Sequence, residues 1–273
     1  MAERIKCLEL QHINLVTRDF SDTVAHFRDL FGAQFVLDIP APQWHAALIH
    51  FGGVLFELFV PEQFLINARY GPHYVGLEYQ IADVDFARTQ FRERGIRIIR
   101  DIDIAIHTEP ADSLGVAFEF YGYSFYNDDP VEWLEPLKPA DYWANQHPLG
   151  YLGLKRYSVA VADHEAALAF YDTVFDIEVL YEQPLPSIGA RATGIQLANS
   201  VVELLSPVDD GTIKQHLNRY GDGIRSVVFR LRDLDQATRH FAQHGITLVP
   251  GDHPDSLAIR PEDNRGIMME FSE

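Results

Sequence analysis

The sequence predicts an α+β fold of four βαβββ modules arranged as two domains, and three observations carry that expectation. One pattern occurs four times along the chain. The length, 273 residues, suits two domains of roughly 100–200 residues each. The pattern stops once, near the middle, in a proline-containing stretch. The four segments read HINLVTRDFSDTVAHFRDLFG, GLEYQIADVDFARTQFRERG, RYSVAVADHEAALAFYDTVFD and SVVFRLRDLDQATRHFAQHG. Each joins an alternating strand to an Asp, then to an amphipathic helix, then to strands that end in an apolar run around a Glu.

The Asp residues are Asp19, Asp83, Asp163 and Asp233, and an aromatic residue stands eight positions after each: Phe27, Phe91, Tyr171 and Phe241. A carboxylate where a strand hands over to a helix accepts from orphan backbone N–H groups and opposes the helix dipole. Apolar residues then recur three and four apart, as in Val24, Phe27, Leu30 and Phe31, which gives each helix one face to lay on a sheet. Gly32, Gly95 and Gly245 close three of the helices, because glycine tolerates the left-handed conformation of a helix end. Short strands follow, QFVLDI, HAALIHF and VLFELFV in the first copy, and each copy closes on Glu57, Glu119, Glu203 or Glu270. The Asp-to-Glu spacings are 38, 36, 40 and 37 residues; the length and the alternation of helix offsets fit two copies per domain, while which copies pair, one with two or one with four, stays open. The first domain is expected over 1–126 and the second over 151–273. Between them, 127–150 carries Pro130, Pro136, Pro139 and Pro148, which interrupt helix and sheet, while Trp133 and Trp143 suggest that the connection packs on a surface.

Composition removes several classes of function. At 47% hydrophobic and 23% charged residues, the chain is neither disordered nor fibrous. Its net charge of −18 repels phosphate backbones and anionic lipid, so nucleic-acid and membrane partners are not expected. A lone cysteine, Cys7, and the lack of a secretory leader or long apolar run fit a cytoplasmic protein. There is no phosphate-binding glycine loop, nucleophile elbow or Cys-x-x-Cys pair.

With His12 opening the first copy and a Glu closing every copy, the chain resembles the vicinal oxygen chelate superfamily, which includes glyoxalase I, methylmalonyl-CoA epimerase, extradiol dioxygenases and the bleomycin resistance proteins. The resemblance covers nearly everything outside 127–150. It implies curled, mixed β-sheets with helices outside, each pair of modules forming a cup around one divalent metal (Zn, Ni, Mn or Fe). The family's first-strand ligand position falls on His12, Gly76, Arg156 and Ser226, and its last-strand position on Glu57, Glu119, Glu203 and Glu270. The metal is therefore expected on His12, Glu57 and Glu119, with water or Glu78 filling the place vacated at Gly76. Glu57 and Glu119 are also the expected acid–base groups. His45 or His50, on opposite faces of WHAALIHF, is a further base candidate, and His45 is taken as the catalytic one. His73 points away by strict alternation, and His26, His164, His240 and His244 read as solvent-facing helix residues. Arg156, permanently charged, is expected to neutralise Glu203 and Glu270 and keep the second cup metal-free. Tyr121, Tyr123, Phe125 and Tyr126 are placed to wall a pocket for a small-molecule substrate, an aromatic one included. The resemblance implies a metal-dependent lyase or isomerase. An Fe(II) extradiol-type dioxygenase and a non-catalytic binding protein are the alternatives, and association as a homodimer stays open.

Overall fold

The computed structural model describes residues 3–41, 44–60, 72–128 and 131–273. Its first half contains β1 (Cys7–Val16), α1 (Phe20–Phe31), β2 (Gln34–Ala41), β3 (Trp44–Phe51), β4 (Val54–Val60), β5 (His73–Ile81), α2 (Val84–Glu93), β6 (Ile98–Ile102), β7 (Ala105–Thr108) and β8 (Ala117–Tyr121). A short helix, α3 (Ala140–Asn145), follows. The second half contains β9 (Tyr151–Ala160), α4 (His164–Val174), β10 (Glu178–Leu185), β11 (Ala190–Leu197), β12 (Ser200–Pro207) and α5 (Thr212–Tyr220). It ends with β13 (Gly223–Leu231), α6 (Leu234–Gln243), β14 (Val249–Pro250), β15 (Ser256–Ile259) and β16 (Met269–Ser272).

The strands form two curled, mixed eight-stranded sheets, ordered β2-β3-β4-β1-β5-β8-β7-β6 and β10-β11-β12-β9-β13-β16-β15-β14. Each module contributes four adjacent strands, so the first hydrogen-bonds to the second and the third to the fourth. Within the second module β5 runs parallel to β8, and β8 is antiparallel to β7. The repeated Asp residues cap their helices as the spacing predicts. Asp19, Asp83, Asp163 and Asp233 accept from the backbone N–H groups of Asp22, Phe86, Ala166 and Gln236 at 2.7–3.0 Å. Gly32 ends α1 at φ 66°, in the left-handed region.

Packing groups the modules differently from sheet hydrogen bonding. One compact unit comprises Met1–His12, Val75–Val131 and Ser158–Arg225, and the other Ile13–Tyr74, Glu132–Tyr157 and Ser226–Glu273. In the first, Phe118 stacks with Phe120 and Phe170 and meets Phe175, while the Tyr79 hydroxyl bonds Ser200 at 2.7 Å. In the second, Phe51 packs on Phe31, Phe27 and Phe229. His240 there bonds the Leu30 carbonyl, and His26 bonds Asn264.

From Glu132 onward the connecting stretch belongs to the second unit, where the Gln34 side-chain amide donates to the Pro136 carbonyl at 3.0 Å. Trp143 is buried, with its indole N–H donating to the Lys138 carbonyl at 3.1 Å. Pro130 lies outside the described residues. Three helix histidines depart from the solvent-facing expectation: His26 and His240 are half-buried through the bonds just described, and His164 is buried, because its ring turns back onto the sheet to meet Thr193 and Ser206, both at 2.8 Å.

Candidate metal centre

Strand alternation sorts the candidate residues onto faces. In β8, Phe118 and Phe120 meet residues of the helices, as Phe120 does Phe91 of α2. Ala117, Glu119 and Tyr121 therefore project from the other face, into the cup. Register carries that face across the sheet: Gly76 pairs with Ala117, Glu78 with Glu119, and His107 with Glu119. By the same alternation His12 shares a face of β1 with Leu10 and Asn14, and Ile13 and Leu15 lie on the other.

Gly76 shows why the expected ligand position is vacant. A Cβ there would stand 2.3 Å from the Ala117 carbonyl oxygen, so no side chain fits while β5 and β8 keep their spacing. Two residues along the same face, Glu78 brings a carboxylate instead. His12, Glu57 and Glu78 each present a ligand atom, all within 4.8 Å of one another. His12 and Glu78 are 2% and 0% exposed, with His12 Nε2 2.6 Å from Glu78 Oε2. Glu57 is half-buried on β4, opposite Leu48.

Glu119, the third residue expected on the metal, is drawn into a neighbouring pair. His107 Nε2 lies 2.5 Å from Glu119 Oε1, both nearly fully buried. Glu119 also hydrogen-bonds Glu78, which links His12, Glu78, Glu119 and His107 in a buried chain. Burial presses Glu119 toward its neutral form. The bonds from His107 and Glu78 and the charge of His107 outweigh it and hold this carboxyl below its ordinary range. Beside the chain stand Phe125, edge-on to His12 at 5.1 Å, and Tyr121 and Tyr123. Burial, then the charges of Glu119 and Glu78, push the Tyr123 hydroxyl up to about 12, so it remains a hydrogen-bond donor at neutral pH.

These residues fit a divalent cation. Three carboxylates and two imidazoles share a largely dry cup, and buried carboxylates need pairing or a metal. One imidazole with two carboxylates is a donor set for a borderline or hard divalent ion. His45, in contrast, lies on the opposite face of β3 from Leu48, the partner of Glu57. It bonds Asp38 at 2.5 Å and stacks on Phe20 of α1, which removes it from the cup and corrects the expectation of a catalytic role. His107 is the residue that spacing did not reveal. Its strand, AIHT, is four residues long and too short to display a period.

The second sheet repeats the registers without the chemistry. Val228 and Ala258 pair with Glu270, where Glu78 and His107 pair with Glu119. Glu270 accepts from Ser226 at 2.6 Å, Ser256 at 2.8 Å and the Asp252 N–H at 2.9 Å. Burial and the charge of Asp252 still raise its pKa. Glu203 accepts from Tyr181 at 2.8 Å. Arg156 is buried, and its charge bears on Asp255.

A family model described as the Glyoxalase/Bleomycin resistance protein/Dioxygenase superfamily matches residues 153–271. Mitochondrial methylmalonyl-CoA epimerase of Bos taurus is 30% identical over 136 residues, which cover 46% of this chain and 77% of that protein. Ethylmalonyl-CoA/methylmalonyl-CoA epimerase of Cereibacter sphaeroides is 27% identical over 129 residues, covering 44% of this chain and 96% of its own. Among solved structures, a triple mutant of 4-hydroxymandelate synthase from Streptomyces coelicolor aligns with a TM-score of 0.74. That alignment spans 97% of this chain and 92% of the other at 14% identity, a likeness of fold.

Proposed function

We propose that this chain, which belongs to the glyoxalase/bleomycin resistance protein/dioxygenase superfamily, is a metal-dependent lyase or isomerase acting beside a carbonyl of a small oxygenated substrate. The observation that carries the reading is the convergence of buried His12 and Glu78 with half-buried Glu57, the Glu119–His107 pair standing one strand away. A divalent metal held by those three residues would polarise a substrate carbonyl and acidify the adjacent C–H.

The chain's own groups supply the rest. Glu119, kept ionised by His107, is the base that accepts the proton at a carboxylate oxygen, and His107 holds its orientation. Tyr123 retains its proton and donates to a substrate oxygen. Phe125 and Tyr121 present apolar surface beside His12 and exclude water from the reacting face. The names of the curated relatives make methylmalonyl-CoA the first substrate to try.

The test is exchange of solvent deuterium into the carbon between the carbonyls of methylmalonyl-CoA, and into a panel of 2-oxo acids, followed by NMR. Exchange by the metal-loaded protein is expected, with a loss of about 100-fold or more in Glu119→Gln, the usual scale for removing a general base. Exchange that proceeds unchanged in Glu119→Gln would remove it from that role. His107 favours one other reading, since two imidazoles with a carboxylate form the donor set of Fe(II) oxygenases. Oxygen uptake with catechols, without deuterium exchange, would select it.

A further inference from the structure

A cavity of about 780 Å³ lies within the second compact unit, bounded by α1, β2, β3 and the connecting stretch. Its volume is in the range of small-molecule sites. Phe35 and Ile49, which pair in register, form its floor together with Val24 of α1. Ile49 alternates with Leu48, the partner of Glu57, so this floor is the helix-side face of the sheet and not the cup face. Phe20, Tyr142 and Lys138 stand around it.

The charges at the cavity are unlike those of the chain as a whole. Arg28, Lys138 and Glu135 line it, two cations and one anion on a protein of net charge −18. Arg28 is bound to Asp29 at 2.8 Å. The Lys138 ammonium sits 4.2 Å over the Tyr142 ring, and among the described residues no carboxylate forms an ion pair with it. His147 also lines the cavity, and burial with the charges of His240 and Lys138 holds it near 4, so it adds no charge at neutral pH. The wall that carries Lys138 is pre-formed. Its backbone N–H donates to Gln34 at 2.9 Å, its carbonyl accepts from Trp143, and Gln34 in turn donates to the Pro136 carbonyl.

We propose that this cavity is a second ligand site, for a small amphipathic carboxylate whose aryl or acyl body lies on Val24, Phe35 and Ile49 and whose carboxylate meets Lys138 Nζ. With Arg28 held by Asp29, Lys138 is the ammonium left to meet a ligand, and Glu135 in the same lining disfavours a doubly charged phosphate relative to a single carboxylate. The aromatic faces of Phe20 and Tyr142 favour a flat body.

The probe is 4-(4-fluorophenyl)butanoate, titrated by fluorine NMR against the full-length protein, with 4-(4-fluorophenyl)butylamine as the charge-reversed control. Saturable binding of the carboxylate is expected, with weaker binding of the amine. Affinity should fall about tenfold or more, about 1.4 kcal/mol, in Lys138→Glu and in Ala25→Trp, which fills the cavity from α1. It should be unchanged in His12→Ala. Absence of saturable binding overturns the proposal, as does wild-type affinity in both cavity variants with their melting temperatures preserved. Loss of binding in His12→Ala, with the cavity variants unaffected, would place the ligand in the cup and equally overturn it.

Discussion

At position 76 a side chain has nowhere to go. The Ala117 carbonyl oxygen occupies the space a Cβ would need, 2.3 Å away. Gly76→Ala must push β5 from β8, and overpacking of this kind costs about 1–3 kcal/mol. Urea denaturation should show that loss, and Gly76→His should fare no better as a restored ligand. In the proposed metal site Glu78 is the compensation, a carboxylate two residues along the same face. The His107–Glu119 pair adjoins it, one strand away in register, and the His107 imidazole offsets the charge that Glu119 brings beside it. His107→Ala is therefore expected to weaken metal affinity about 10–100-fold, as loss of a supporting residue does, measured by competition with a chromophoric chelator. Unchanged affinity would make His107 a bystander. Offsets to the repeated Asp residues single out His12, Glu57 and Glu119 as candidates, and the place two residues beyond Gly76 singles out Glu78; the structure gathers Glu78, and not Glu119, with His12 and Glu57. His107 was not legible, because its partner is set by a strand register that a four-residue segment does not announce. His45 was misplaced because period-two alternation says which residues share a face but not which face is inward.

The elements are short units stamped four times, and their ends are secured by the same device. Each of α1, α2, α4 and α6 starts at an Asp whose side chain accepts a backbone N–H three residues on. Replacing any one by Ala should cost about 1 kcal/mol, and the four losses should be nearly equal in thermal unfolding. Helix and strand boundaries were readable because capping and apolar spacing are local properties. Strand order followed only from the modular resemblance, since hydrogen bonding between β1 and β5 leaves no mark in either segment. The paired registers at Glu119 and Glu270 show how one scaffold diverges: Glu and His beside the first, Val and Ala beside the second. Hydrogen bonds from Ser226, Ser256 and the Asp252 N–H satisfy the Glu270 carboxyl.

Across the whole molecule, sheets join modules one with two and three with four, whereas the compact units combine one with four and two with three. The length and repeat count implied four modules but not this double bookkeeping of hydrogen bonds and packing, which depends on contacts far apart in sequence. None of the described helices is long and apolar enough to cross a membrane. Stability should depend on pH through His50, which is 2% exposed and held near 4 by burial and the charge of Lys138. Its folded pKa lies below the unfolded 6.5, so between pH 6.5 and 4 the unfolded chain takes up a proton that the folded one refuses. Stability then falls as pH falls, by about 3 kcal/mol for this group once pH is below both values. His50→Gln should flatten that part of the pH profile of urea midpoints; an unchanged slope would assign it elsewhere.

The proposed metal centre of the first sheet can be read out from the metal content of the purified protein after incubation with Zn, Ni, Mn or Fe(II). About one divalent ion per chain is expected in the wild type and in Glu270→Gln, with loss from His12→Ala and Glu78→Ala. Full occupancy in both of those variants, or no uptake of any of the four ions by the wild type, would rule out a metal centre at His12, Glu57 and Glu78.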